Sequence, residues 1–130
     1  MVQETIMMPF AEITIYKDRV AHVLYKDEAA LNVSKAIDTY DKIRLATDGM
    51  PFVIVHDFSN KYIFSTDALR FMESQMNFET HQLLGRAFVS TNPASRISAN
   101  NFIRLFKPVM PVKLFSSPQD ALKWAEDLLN

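Results

Sequence analysis

Pro51-Phe52-Val53-Ile54-Val55-His56-Asp57 is the stretch that decides the fold. Phe52 to Val55 is continuously apolar, rich in β-branched residues and too short for a helix. A strand open to water on one side would alternate apolar and polar residues. This one does not, so it reads as a central strand buried on both faces, as in parallel α/β sheets. Parallel neighbours need crossover connections, so helical segments are expected before and after it.

Upstream, Gly49 and Pro51 mark the stop of a helix. Asn32 is its expected N-cap, and Val33, Ala36, Ile37, Tyr40 and Ile43 form its expected apolar face. Asp38 and Lys42 pair at i,i+4 on the opposite side. Before it, Ile13 and Ile15 alternate with polar residues over 11–17, and Val20–Tyr25 is a second β-rich run. The polar Asp18-Arg19 link makes the two an antiparallel hairpin.

Downstream, Ser65 or Thr66 caps an expected second helix with Ala68, Leu69, Met72 and Met76 inward. Leu84–Ser90 reads as a strand. Asn92-Pro93 opens a third helix that runs to Phe106. Val112–Phe115 is a short strand, and Ser117-Pro118 starts a last helix whose apolar face carries Ala121, Leu122, Trp124, Ala125 and Leu128. The order is β-β-α-β-α-β-α-β-α. It predicts an α/β protein with a five-stranded mixed sheet and four helices, the first strand antiparallel at an edge. Residues 1–130 form one domain, with 1–10 expected as a loosely ordered arm.

Composition removes many chemistries. The 130 residues carry a formal net charge of −1, which demands neither nucleic acid nor an anionic membrane. Cysteine is absent, so disulfides and thiolate sites are excluded. The two glycines, Gly49 and Gly85, are too few and too far apart for a phosphate-cradling loop. No apolar run approaches the ~20 residues of a membrane helix. The N-terminus lacks a basic leader, so a cytoplasmic protein without cofactor is expected.

The order and length resemble the STAS-like fold of the bacterial anti-sigma-factor antagonists. The local likeness lies in Ile54-Val55-His56-Asp57-Phe58-Ser59-Asn60 and Ile63-Phe64-Ser65-Thr66-Asp67-Ala68-Leu69. In those antagonists an Asp-x-Ser strand end leads to an Asp-Ser-Ser-Gly helix start, whose second serine is the phosphorylation switch. Here Asp67 stands at the switch serine and Ala68 at the glycine. The chain is also similar to a family of small bacterial STAS-like proteins. That likeness is carried by Leu24-Tyr25-Lys26, by Lys107-Pro108-Val109-Met110-Pro111-Val112-Lys113-Leu114-Phe115 and by Ala121-Leu122-Lys123-Trp124. The resemblance implies the fold and a partner surface formed by the loop after the central strand and the helix that follows.

Several residues invite a chemical reading. His22, His56 and His81 lack the short repeated spacing of a metal site, so no metal is expected, although neighbouring strands could bring His22 and His56 together. An enzyme would use His56 or Asp57 as base and Ser59 or Ser65 as nucleophile. Adjacent strand residues point to opposite faces, which argues against a His56–Asp57 dyad, and no Gly-x-Ser-x-Gly elbow is present. Loop closure by Asp57 and Ser59 and helix capping by Ser65 or Thr66 explain these residues more simply. Ser90-Thr91-Asn92 could bind an anion, but capping by Asn92 is the simpler role. Arg86, Arg96, Arg104, Lys107 and Lys113 read as a solvated, dipole-matched face.

The expectation is a non-catalytic regulatory or interaction module with a protein partner and the capacity to homodimerise. Its contact residues are Asp57, Ser59, Ser65, Thr66, Asp67 and Phe71. The alternative, prompted by ten phenylalanines and seven methionines, is a carrier or sensor of a small apolar ligand with a cavity between sheet and helices.

Overall fold

The run over residues 52–57 is buried at every position and pairs with a parallel strand on either side. The computed structural model describes residues 2–26, 30–59, 63–64, 70, 82–106 and 110–130. In chain order these form β1 (Val2–Met8), β2 (Ala11–Tyr16), β3 (Val20–Tyr25), β4 (Ala30–Leu31), α1 (Val33–Ala46), β5 (Phe52–Asp57), β6 (Ile63–Phe64), β7 (Leu83–Val89), α2 (Pro93–Phe106), β8 (Val112–Phe115) and α3 (Pro118–Leu129). The main sheet runs β1-β2-β3-β5-β7-β8, and β4 pairs with β6 in a short parallel ladder.

The sheet has six strands, one more than the sequence predicts. The addition is β1, which pairs antiparallel with β2 where a loose arm was expected. Only Ile6 and Met8 of β1 pack against the core, while Val2–Thr5 and Met7 are exposed. Its order comes from ladder hydrogen bonds to β2 rather than from an apolar face of its own, so its pattern is weak. The hairpin strand 11–16 is thereby moved one place in from the edge. Among the described residues there are three helices. The expected second helix lies outside them, apart from Arg70, which is helical and exposed.

Local signals place the elements as read. Asn32 accepts from Lys35 N at 2.9 Å, and Ser117 accepts from Asp120 N at 3.4 Å. Asp48 and Gly49 both take positive φ after α1, where glycine costs nothing. Arg19 takes φ 70° in the β2–β3 turn, and its Nε donates to Pro51 O at 2.6 Å. The exposed turn is thereby tied to the entry of the central strand.

Two cores flank the sheet. On one face α1 contributes Ala36, Tyr40 and Ile43, and α2 contributes Ala99, against Ile13, Ile15, Val23, Phe52, Ile54 and Phe88. On the other, Ala121 and Ala125 of α3 sit on Val20, Val53, Val55, Ala87 and Val89. The apolar face of α1 differs from the expected one: Val33 and Ile37 are exposed, and Thr39 is buried with its hydroxyl donating to Lys35 O at 2.8 Å. A backbone acceptor one turn earlier lets threonine go inward. Gly85 is needed for packing: a Cβ there would lie 2.8 Å from Leu128 Cδ1 and 3.1 Å from Pro111 O. No helix among the described residues is long and apolar enough to cross a membrane.

Candidate functional site

Asp57 ends β5 on the face that α3 covers, by alternation with Val53 and Val55. Its carboxylate is 2% exposed and is shared between two partners. His22 Nε2 donates to Oδ2 at 2.7 Å. Oδ1 accepts from Ser59 N at 2.9 Å and from Ser59 Oγ at 2.5 Å. Burial by itself would raise the Asp57 pKa. The hydrogen bonds from His22 and Ser59, with the positive field of His22, outweigh it and hold the carboxyl below its ordinary range. Asp57 thus joins β3 to the loop after β5, and Ser59 turns that loop outward. Ser59 itself is exposed.

His56 points the other way, into the α1 face. It is 2% exposed and bonded at both ring nitrogens: Arg86 Nη1 donates to Nε2 at 2.6 Å, and Nδ1 lies 2.8 Å from the Tyr25 hydroxyl. A guanidinium has no acceptor, so Nε2 must be the unprotonated nitrogen. The neutral ring then carries its proton on Nδ1 and donates it to Tyr25 Oη. Burial first, and the charge of Arg86 second, push the His56 pKa well below 6.5. Phe58 stacks on Tyr25 at 4.9 Å and Phe88 on His56 at 5.1 Å, which closes the site with aromatic rings.

Arg86 is the residue that sequence reading misplaced. It was expected on a solvated basic face, yet it is 1% exposed. Burial lowers its pKa to about 10, while the nearby Tyr25 and Tyr40 hydroxyls act in the opposite sense. The signal was available: Arg86 lies between Gly85 and Ala87-Phe88-Val89, in an apolar stretch of the predicted strand Leu84–Ser90. Arg96 has another structural role, its Nη1 donating to Ser90 O at 2.8 Å and to Ser116 Oγ at 3.3 Å. It thereby links the ends of β7 and β8.

The expected site is only partly described. Asp57 and Ser59 come together as foreseen, whereas Ser65, Thr66, Asp67 and Phe71 lie outside the described residues, as does His81. His22 and His56 occupy opposite faces of the sheet, so they do not meet. Among the described residues no group of three potential metal ligands converges. Asn92 Oδ1 accepts from Ala94 N at 3.0 Å, so it caps α2. The order β3, β5, β7, β8 never reverses across the sheet. Among the described strands there is therefore no switch point of the kind at which doubly wound sheets open a ligand crevice. The space enclosed by Tyr25, Ala36, Thr39, Tyr40, Ile54, His56 and Arg86 is about 10 Å³. An open groove of about 300 Å³, lined by Tyr16, Lys17, Asp18, Val20, Leu122 and Glu126, lies at the opposite end of the sheet.

The fold has a solved counterpart. An uncharacterized protein of the DUF3478 family with a SpoIIAA-like fold, from Shewanella loihica PV-4, superposes with a TM-score of 0.55. The identity is 12%, over 96% of this chain and 92% of that one. A protein of unknown function from Arthrobacter sp. FB24 matches at a TM-score of 0.32 and 20% identity, over 87% of this chain and 96% of that one, which is too slight to carry an argument. The class is therefore a mixed α/β protein of the SpoIIAA-like, STAS-like fold. Within it the chain belongs to the family DUF7793, a domain of unknown function, whose model matches residues 14–129. No curated protein matches the chain.

Proposed function

We propose that the protein is a non-catalytic interaction module that meets a protein partner at the loop after β5. The observation that carries this reading is the Asp57 carboxylate, both of whose oxygens are engaged: Oδ1 holds Ser59 of that loop and Oδ2 is held by His22 of β3. A catalytic acid or base must instead reach a substrate proton. His56, the other candidate base, is enclosed by Tyr25, Phe58, Phe88 and Arg86. The loop is anchored from beneath and presents Ser59, so a rigid scaffold offers an exposed segment to a partner. Ser65, Thr66, Asp67 and Phe71 extend the surface in sequence. Asp67 replaces the switch serine of the antagonists that the chain resembles, so regulation by phosphorylation at that position is not part of the proposal.

A photoreactive side chain at Ser59, introduced into the protein in its own cells, tests the reading against the same group at Asp48. The expected result is one protein cross-linked from position 59 and none from 48. Equal yields, or no protein adduct from position 59, would overturn it. The apolar-ligand reading needs a pocket of roughly 300 Å³ or more. The space beneath α1 is only about 10 Å³. The groove of about 300 Å³ at the other end of the sheet reaches that volume, but it is open and carries Lys17, Asp18 and Glu126, which suit an apolar guest poorly. Native mass spectrometry of the same material separates the two, because a co-purifying lipid would favour the carrier.

A further inference from the structure

The two edges of the main sheet are unlike. At one, β8 has four residues, with Pro111 immediately before it and Lys113 within it. Short length, proline and lysine are the usual guards against edge pairing. At the other, β1 is nearly twice as long at seven residues and has neither lysine nor proline within it, Pro9 lying in the turn that follows. No other described strand pairs with its outer side. Val2 is 52% and Met7 63% exposed.

We propose that β1 pairs antiparallel with β1 of a second copy, joining two six-stranded sheets across a two-fold axis. An isologous contact of this kind closes on itself, whereas β1 on the guarded, shorter β8 would make an open chain. The only charge on β1 is Glu4. A register centred on Glu4 sets two carboxylates against each other. One centred on Thr5 places Glu4 against Ile6 and runs into the irregular pairing between Val2 and Glu4. One centred on Ile6 uses only the regular stretch Glu4–Met8, with Thr5 against the partner's Met7 and Glu4 against the partner's Met8. Within each copy the Lys26 ammonium donates to Met8 O at 3.1 Å. This register sets each Glu4 opposite the partner's Met8, whose carbonyl oxygen holds the partner's Lys26 ammonium, so the two opposite charges come into one neighbourhood twice by symmetry and favour this register. The contact is independent of the loop at Asp57, which ends a strand in the middle of the sheet.

Sedimentation of the full chain over a range of concentrations is the test, with Glu4→Lys, Lys26→Glu and the double exchange compared. Both side chains are exposed, so the fold is retained, and circular dichroism checks that. The expected result is a monomer–dimer equilibrium weakened about tenfold by either single reversal and restored to within about threefold by the double. A monomer at all concentrations up to about 100 µM, the strength of ordinary weak contacts, would overturn the proposal. So would a dimer that neither single reversal moves, or a double variant no stronger than the singles.

Discussion

Arg86 Nη1 donates to His56 Nε2 at 2.6 Å between two strands that run side by side beneath α1, and both side chains are almost wholly buried. A buried guanidinium has to be hydrogen-bonded, and the acceptor here is a neutral imidazole. The two residues therefore hold each other in one protonation state.

Arg86→Met would leave the His56 acceptor buried without its donor, at a cost of about 1–3 kcal/mol in urea unfolding. His56→Phe is expected to cost a similar amount. The double variant should cost less than the sum, because the two changes remove one shared interaction. Simple additivity would show that the pair does not couple.

The pH dependence has a definite sign. Folding holds His56 below its ordinary pKa, so the unfolded chain takes up that proton first as pH falls. The contribution of His56 is fully present above about pH 6.5 and declines below it, by up to about 1.4 kcal/mol per pH unit, until the folded protein also protonates. Unfolding free energies of the native chain and His56→Phe, measured between pH 7.5 and about 5 across the ordinary imidazole range, should converge as pH falls.

Asp57 acts at lower pH. Its folded pKa is depressed, so its stabilisation is present above the ordinary carboxyl value of about 3.9 and is lost as pH falls through the folded value. Asp57→Asn is expected to cost about 1–2 kcal/mol at neutral pH. The deficit should disappear in acid. A deficit of unchanged size at about pH 2.5, below the ordinary carboxyl range, would mean that the carboxylate charge is not what matters.

Gly85→Ala introduces a methyl against Leu128 and the Pro111 carbonyl. Leu128 can turn aside, but the backbone oxygen cannot, so a loss of about 1–2 kcal/mol is expected. Thermal unfolding monitored at Trp124, which lies 3.6 Å from the same point, reads it directly.

The revised face of α1 gives a contrast on one helix. Ile37→Lys, at an exposed position, should change stability by less than about 0.5 kcal/mol, whereas Ile43→Ala, at a fully buried one, should cost about 2–4 kcal/mol. Comparable losses at both would restore Ile37 to the apolar face.

By itself the sequence determined the central strand, the β2–β3 hairpin, the caps of α1 and α3, and the opposed directions of His56 and Asp57. Those features rest on periodicity and on short-range hydrogen bonds, which a run of residues carries locally. Only tertiary structure decided that residues 2–8 form a strand, that Thr39 rather than Ile37 goes inward, and that Arg86 is enclosed. Strand β1 is held by ladder bonds to its neighbour, Thr39 can be buried because α1 supplies an acceptor, and Arg86 finds in His56, itself held by Tyr25, a partner far away in the chain. A charged residue is assigned to the surface when read alone. Its burial depends on partners that only the fold brings within hydrogen-bonding distance.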